Sequence, residues 1–181
     1  MIAISYTTMV LIISLLWLLN RIWIYRKTGN IRWKREIQLL LVYICLIVIA
    51  RFTFCPFGKV DGKIQPLIFY PDNWFPFRIN LKPIIYLFDY PTMKEALINL
   101  IGNTAMFLPV GIVWPYVFKN LDKPWKVIAA GVGFSLCIEI QQLPFYDRLS
   151  DIDDLILNSL GYLTGYAIYL IVSRIQKKSR P

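Results

Sequence analysis

Glu139 and Gln142 stand three residues apart, Asn99 and Asn103 four apart, and Asp151, Asp154 and Asn158 at successive intervals of three and four. On a helix each of these sets shares one face. Arg51 and Arg148 are the cations that can pair with them, and Arg51, Arg148, Glu139, Asp151 and Asp154 together carry a formal charge of −1. Carboxylates with separated pKa values divide general acid and base roles, which makes Glu139, Asp151 and Asp154 the candidate catalytic residues. The wider set of Arg51, Asn99, Asn103, Glu139, Gln142, Arg148, Asp151, Asp154 and Asn158 is equally suited to binding a polar ligand without any reaction.

Other chemistries drop out by composition. The chain has no histidine, so Ser-His-Asp and Cys-His nucleophiles and His-containing zinc sites are excluded. Cys45, Cys55 and Cys137 are far apart with no CxxC spacing, and Cys45 and Cys137 read as small core residues of apolar runs. Asp-rich oxygen ligands suit Mg²⁺ with a substrate phosphate. Asp151-x-Asp153-Asp154 reads as readily as carboxylates at a helix N-terminus, and no cofactor is expected.

The elements that must hold these residues are membrane helices. Of 181 residues, 57% are hydrophobic and only 17% charged, against about a quarter charged in soluble domains. Apolar runs near 20 residues recur, each long enough for a bilayer core of about 30 Å. The expected fold class is all-α, a polytopic bundle of about five spans in one integral membrane domain: 2–24, 37–57, 96–118, 125–143 and 152–172. The first run is read as an uncleaved anchor, since no positive charge precedes it. Thr92-x-x-Glu95 and Ser150-x-x-Asp153 have the form of capping boxes before the third and fifth spans, and Pro109 and Pro115 are tolerable inside a membrane helix.

Lysines and arginines set the orientation. Six fall in 21–36, three in 119–126 and four from Arg174 onward, against six spread over 51–95 plus Arg148. The positive-inside rule then puts the N-terminus outside and the C-terminus in the cytoplasm. The net charge of +9 reads as a girdle facing anionic lipid and not as a nucleic-acid surface. Trp23, Trp33, Trp114 and Trp125 fit an aromatic belt at the inner interface. The outer segment 58–95, with prolines at 66, 71, 76, 83 and 91 and aromatics including Phe69, Tyr70, Trp74, Phe75, Phe77, Tyr86 and Phe88, is too apolar for a solvated loop and too broken for a span. It is expected to lie in the outer headgroup layer, as an anchored connector or as a lid.

In that topology Arg51, Asn103, Glu139 and Asn158 fall roughly 6–11 Å below the outer surface at 1.5 Å per residue. Ionised groups in a span need a partner or water, and for Glu139 the available partners are Arg51 and Arg148. Simpler roles stand beside the functional one: the asparagines as interhelical hydrogen bonds, Asp151 and Asp153 as caps, Glu139 with Arg51 as a structural pair, Arg148 as a snorkelling residue. Gly161-x-x-x-Gly165 continues the polar stripe of the fifth span and would let another helix approach closely.

The ordered set Asn99-x-x-x-Asn103-x-x-x-Phe107-x-Pro109-x-Gly111, Glu139-x-x-Gln142 and Arg148-x-x-Asp151-x-x-Asp154-x-x-x-Asn158-x-x-Gly161-x-x-x-Gly165 resembles the VanZ-like family of small bacterial membrane proteins. Asn80-Leu-x-Pro83 looks like the family's Asn-Leu-x-Pro stretch. The resemblance covers about residues 40–172. It implies a multi-pass protein of the bacterial cell membrane associated with resistance to teicoplanin-type glycopeptides in Gram-positive organisms, and it supplies no mechanism.

Three functions are therefore expected to compete. One is a binding module for an outer-leaflet lipid, a lipid-linked wall precursor or a lipoglycopeptide. The second is an enzyme on a lipid-linked envelope substrate. The third is a structural partner that pairs helices in a homo- or hetero-oligomer.

Overall fold

The computed structural model describes residues 1–55, 59–60, 62–75, 78–83, 92–146 and 148–179. Pro76, Phe77, Tyr86, Phe88 and Pro91 of the sequence argument lie outside the described residues. Among those described there are five α-helices: α1 (Tyr6–Thr28), α2 (Trp33–Phe54), α3 (Met93–Val117), α4 (Pro124–Gln142) and α5 (Ile152–Lys178). Helices α1, α2, α3 and α5 are long and apolar enough to cross a membrane. Helix α4 has 19 residues but carries Lys126, Glu139, Gln141 and Gln142, which lower its hydropathy. The all-α membrane bundle expected from composition is the observed fold.

The core is built on α3 and α5. Gly161 faces the backbone of Thr104, Gly165 that of Leu108, and Gly111 the carbonyl of Tyr162, each so close that a Cβ would collide. Small residues permit this approach, and dispersion between the two backbones replaces the hydrophobic force that lipid does not supply. Tyr162, 1% exposed, lays its ring over Gly131 of α4 and edge-on to Trp114. Phe107, Val110, Val127 and Ile138 complete this centre, with Cys45, Ile49 and Phe54 from α2.

Helix α1 is peripheral, with no buried residue. Side-chain contacts along its length hold it to α2. Ser14 and Tyr43 share a hydrogen bond of 2.7 Å, Trp17 packs on the Tyr43 ring, and Arg21 forms a bidentate pair with Glu36. The apolar run predicted as one span from residue 2 is divided in the structure. Ile2–Ile4 form strand β1, and α1 starts only after Ser5, whose hydroxyl accepts from the Thr8 N–H at 3.1 Å.

The remaining strands are short: β2 (Lys59–Val60), β3 (Lys63–Ile64), β4 (Leu67–Phe69), β5 (Ile79–Asn80) and β6 (Ser150–Asp151). β1 pairs antiparallel with β4, Ala3 opposite Ile68, and β5 pairs parallel with β6, Asn80 opposite Asp151. The Tyr70 N–H donates to Pro144 O, and the Tyr146 N–H to Ile68 O. The segment between α2 and α3 is thus stitched through its backbone to the chain start and to the α4–α5 turn. Apolar burial of Leu67 and rings of Phe69 and Phe145 at 5.8 Å seal the join.

Three local expectations are corrected. The N-cap of α5 is Asp151, accepting from the Asp153 N–H at 2.9 Å, and not Ser150, which stands one residue before the cap position. Cys137 is exposed on the outside of α4, whereas Cys45 and Cys55 are buried. Trp114 packs inward against Phe134, with ring centroids 4.9 Å apart, while Trp23, Trp33 and Trp125 are exposed as belt residues would be.

Candidate functional site

A polar cavity of about 150 Å³ opens at the end of the bundle where α4 stops and α5 begins. Helix α3 contributes Asn99 and Asn103, α4 contributes Glu139 and Gln142, and α5 contributes Asp154 and Asn158; Arg148 enters from the α4–α5 turn. Phe52 of α2, with Ile98 and Met106 of α3, supplies apolar walls, and Thr53 of α2 lies beside them.

Hydrogen bonds fix most of these side chains. Asn103 donates its amide to Asp154 Oδ1 and to Asn99 Oδ1 at 3.3 Å, which links the i, i+4 pair of α3 to α5. Gln142 donates to the Thr53 carbonyl at 3.1 Å, and Asn158 donates to Ser135 Oγ at 3.1 Å. Each amide thereby has one end fixed. Gln142 Oε1 and Asn158 Oδ1 accept no hydrogen bond among the described residues, although Gln142 is only 4% and Asn158 1% exposed. Buried polar atoms without partners are uncommon and costly. Both belong to residues that line the cavity.

Glu139 is 3% exposed. Its Oε2 accepts the backbone N–H of Asp151 at 2.9 Å. A backbone donor thus meets the carboxylate that the sequence matched to an arginine. The described ion pairs are Arg21–Glu36 and Asp122–Lys126, and neither involves Glu139. Asp151 itself does not line the cavity. Its carboxylate caps α5 and accepts from Asn80 Nδ2, 3.1 Å from each oxygen.

Arg51 also sits outside the cavity lining. Its guanidinium donates to the Cys55 carbonyl at 3.3 Å and lies 5.9 Å from the Tyr6 ring centroid, a cation–π distance. The nine residues singled out by type and spacing thus divide. Asn99, Asn103, Glu139, Gln142, Arg148, Asp154 and Asn158 share the cavity, Asp151 supports it from behind, and Arg51 faces the start of α1.

Sequence reasoning missed Asn80, Thr53 and Ser135 as supporting residues. Asn80 stood in the Asn-Leu-x-Pro stretch, and Ser135 lies one turn before Glu139, so both had a signal. Thr53 had none, because it acts through its carbonyl. The described residues contain no group of three or more His, Cys, Asp or Glu placed to hold a metal ion.

No match was found among curated proteins, and none among solved structures. One family model does match, that of VanZ/LLP1, over residues 40–173. That stretch runs from within α2 through nearly all of α5 and holds every residue of the cavity. This chain belongs to the VanZ/LLP1 family.

Proposed function

We propose that this cavity binds the polar head of an outer-leaflet amphiphile, and that through it the protein protects against teicoplanin-type lipoglycopeptides. The observation that carries the reading is the convergence of two carboxylates, four amides and a guanidinium from three helices and a turn on one small cavity. Helix pairing alone would need the amides but not the charges. The Gly161 and Gly165 surface is covered by α3 of the same chain, so it offers nothing to a partner protein.

Orientation follows the positive-inside rule: five helices cross the bacterial cell membrane, with the N-terminus outside and the cavity on the extracytoplasmic side. Size then narrows the ligand. Sites for whole drug-sized molecules run to about 300–1,000 Å³, so about 150 Å³ suits a lipid headgroup or the lipid-proximal end of a wall precursor, and not an entire glycopeptide. Protection would come from altering the membrane step at which an acylated drug partitions. Catalysis on the bound head would fall to Glu139 and Asp154, since Asp151 is committed to Asn80 and the α5 cap.

The test is teicoplanin and vancomycin susceptibility of a sensitive Gram-positive host expressing wild type, Glu139→Gln or Asp154→Asn at matched membrane levels. Selective teicoplanin protection by wild type, lost in both variants, is expected. Protection retained by both variants would reduce the cavity to packing and end this reading.

A further inference from the structure

The polar cavity does not stand alone. On the outer surface of α3, Lys94, Leu97, Ile98, Ile101 and Gly102 line an open trough of about 520 Å³. These positions fall at i, i+3, i+4, i+7 and i+8, a single helical stripe about 12 Å long. Ile98 and Gly102 belong to both the trough and the polar cavity. A Cβ at Gly102 would meet nothing within 4 Å, so at the junction the helix presents bare backbone and open space. Leu97, Ile98 and Ile101 are 45%, 47% and 60% exposed, as a lipid-facing surface is. An ordinary lipid-facing stripe has no polar chamber behind it; this one shares two walls with a chamber lined by charged and amide groups.

Charge complementarity selects the occupant. Within the cavity Glu139 and Asp154 against Arg148 give a formal charge of −1. Such a lining takes a donor-rich cation. Lys94, at the end of the trough on the first turn of α3, and Arg148 supply positive charge for an adjoining anion. We infer that the ligand is a diacyl phospholipid of the bilayer with a protonated-amine headgroup. Its ammonium sits in the polar cavity, its phosphate between Arg148 and Lys94, and one acyl chain along the α3 trough. The lipid enters sideways over Gly102. This inference rests on reading the cavity as a binding site and names the chemistry of what it binds.

The experiment is native mass spectrometry of the full-length protein in detergent, offered phosphatidylethanolamine or phosphatidylglycerol with the same acyl chains. Wild type should retain phosphatidylethanolamine about ten-fold better, the worth of one charge-assisted hydrogen bond. Gly102→Phe, which plugs the junction, should abolish that preference, while Gly133→Phe, equally open but on α4, should preserve it. Gly102→Leu, made in parallel, carries the test if the phenylalanine prevents folding. Equal retention of the two lipids by wild type, or undiminished selectivity in the plugged variant, overturns the inference. Should wild type show no lipid preference while Asp154→Asn still abolishes teicoplanin protection, the ligand assignment falls and the cavity reading stands. Selective retention with full protection by Asp154→Asn would keep the lipid and remove the link to resistance.

Discussion

Asp151 gives its backbone N–H to the Glu139 carboxylate across 2.9 Å, joining the residue that caps α5 to the last turn of α4. The turn after α4 doubles back, so the chain entering α5 supplies a donor where the chain leaving α4 carries an acceptor. A buried carboxylate held by a backbone amide keeps its position without a second charge. This bond places Glu139 and Asp154, from different helices, in one lining.

Asn80 should therefore matter far beyond its loop. Its amide bridges both oxygens of Asp151, and its own Oδ1 accepts from the Lys82 N–H at 3.1 Å. Asn80→Ala is expected to lower stability by about 1–3 kcal/mol. Asn80→Asp should cost more, by setting a like charge against Asp151. Thermal unfolding in detergent measures both; melting temperatures equal to wild type would show that Asp151 does not depend on this strap.

The glycines of the helix seam should split sharply by position. Gly161→Val and Gly165→Val put side chains into the Thr104 and Leu108 backbones, where no rotamer change brings relief, so these variants should fail to accumulate in the membrane. Gly102→Ala enters open space and gains helix propensity of about 1 kcal/mol, so it should accumulate at least as well as wild type. Membrane levels by immunoblot decide, and normal levels of Gly161→Val would rule out the close α3–α5 seam.

At the opposite end of the bundle, the hydrogen bond from Lys126 holds the exposed Asp122 carboxyl below its ordinary pKa, the two groups being 2.7 Å apart. A depressed pKa means a contribution present above the ordinary value of about 3.9 and lost as pH falls through the lower, folded value. Amide exchange at the start of α4 should accelerate over that acidic range in wild type and show no such step in Asp122→Asn. A step of equal size in the variant would trace the change to another group.

Much of this arrangement is legible in the sequence. Apolar runs marked the helices, and residues placed at one depth on three of them meet in one cavity. Asn99 and Asn103, Glu139 and Gln142, and Asp154 and Asn158 carried the signal because helical spacing converts directly into a shared face. What escaped was backbone behaviour. Ile2–Ile4 merged with the apolar run of α1, because strand pairing with Leu67–Phe69 leaves no mark on hydropathy. A sequence displays side chains and not the amide a returning turn presents, so it offers arginines as partners for Glu139 where the structure supplies the Asp151 N–H. Arg51 meets the Cys55 carbonyl and the Tyr6 ring and does not line the cavity, a direction that position along the helix does not specify.

The bare contact between α3 and α5 has a mechanical consequence. With backbone against backbone at Gly111, Gly161 and Gly165, no layer of flexible side chains remains to absorb sliding or rotation. The two helices act as one beam, and the distance between Asn103 and Asp154 is machined into it. Phe52 and Thr53 of α2 and Glu139 and Gln142 of α4 are then walls hung on a fixed frame.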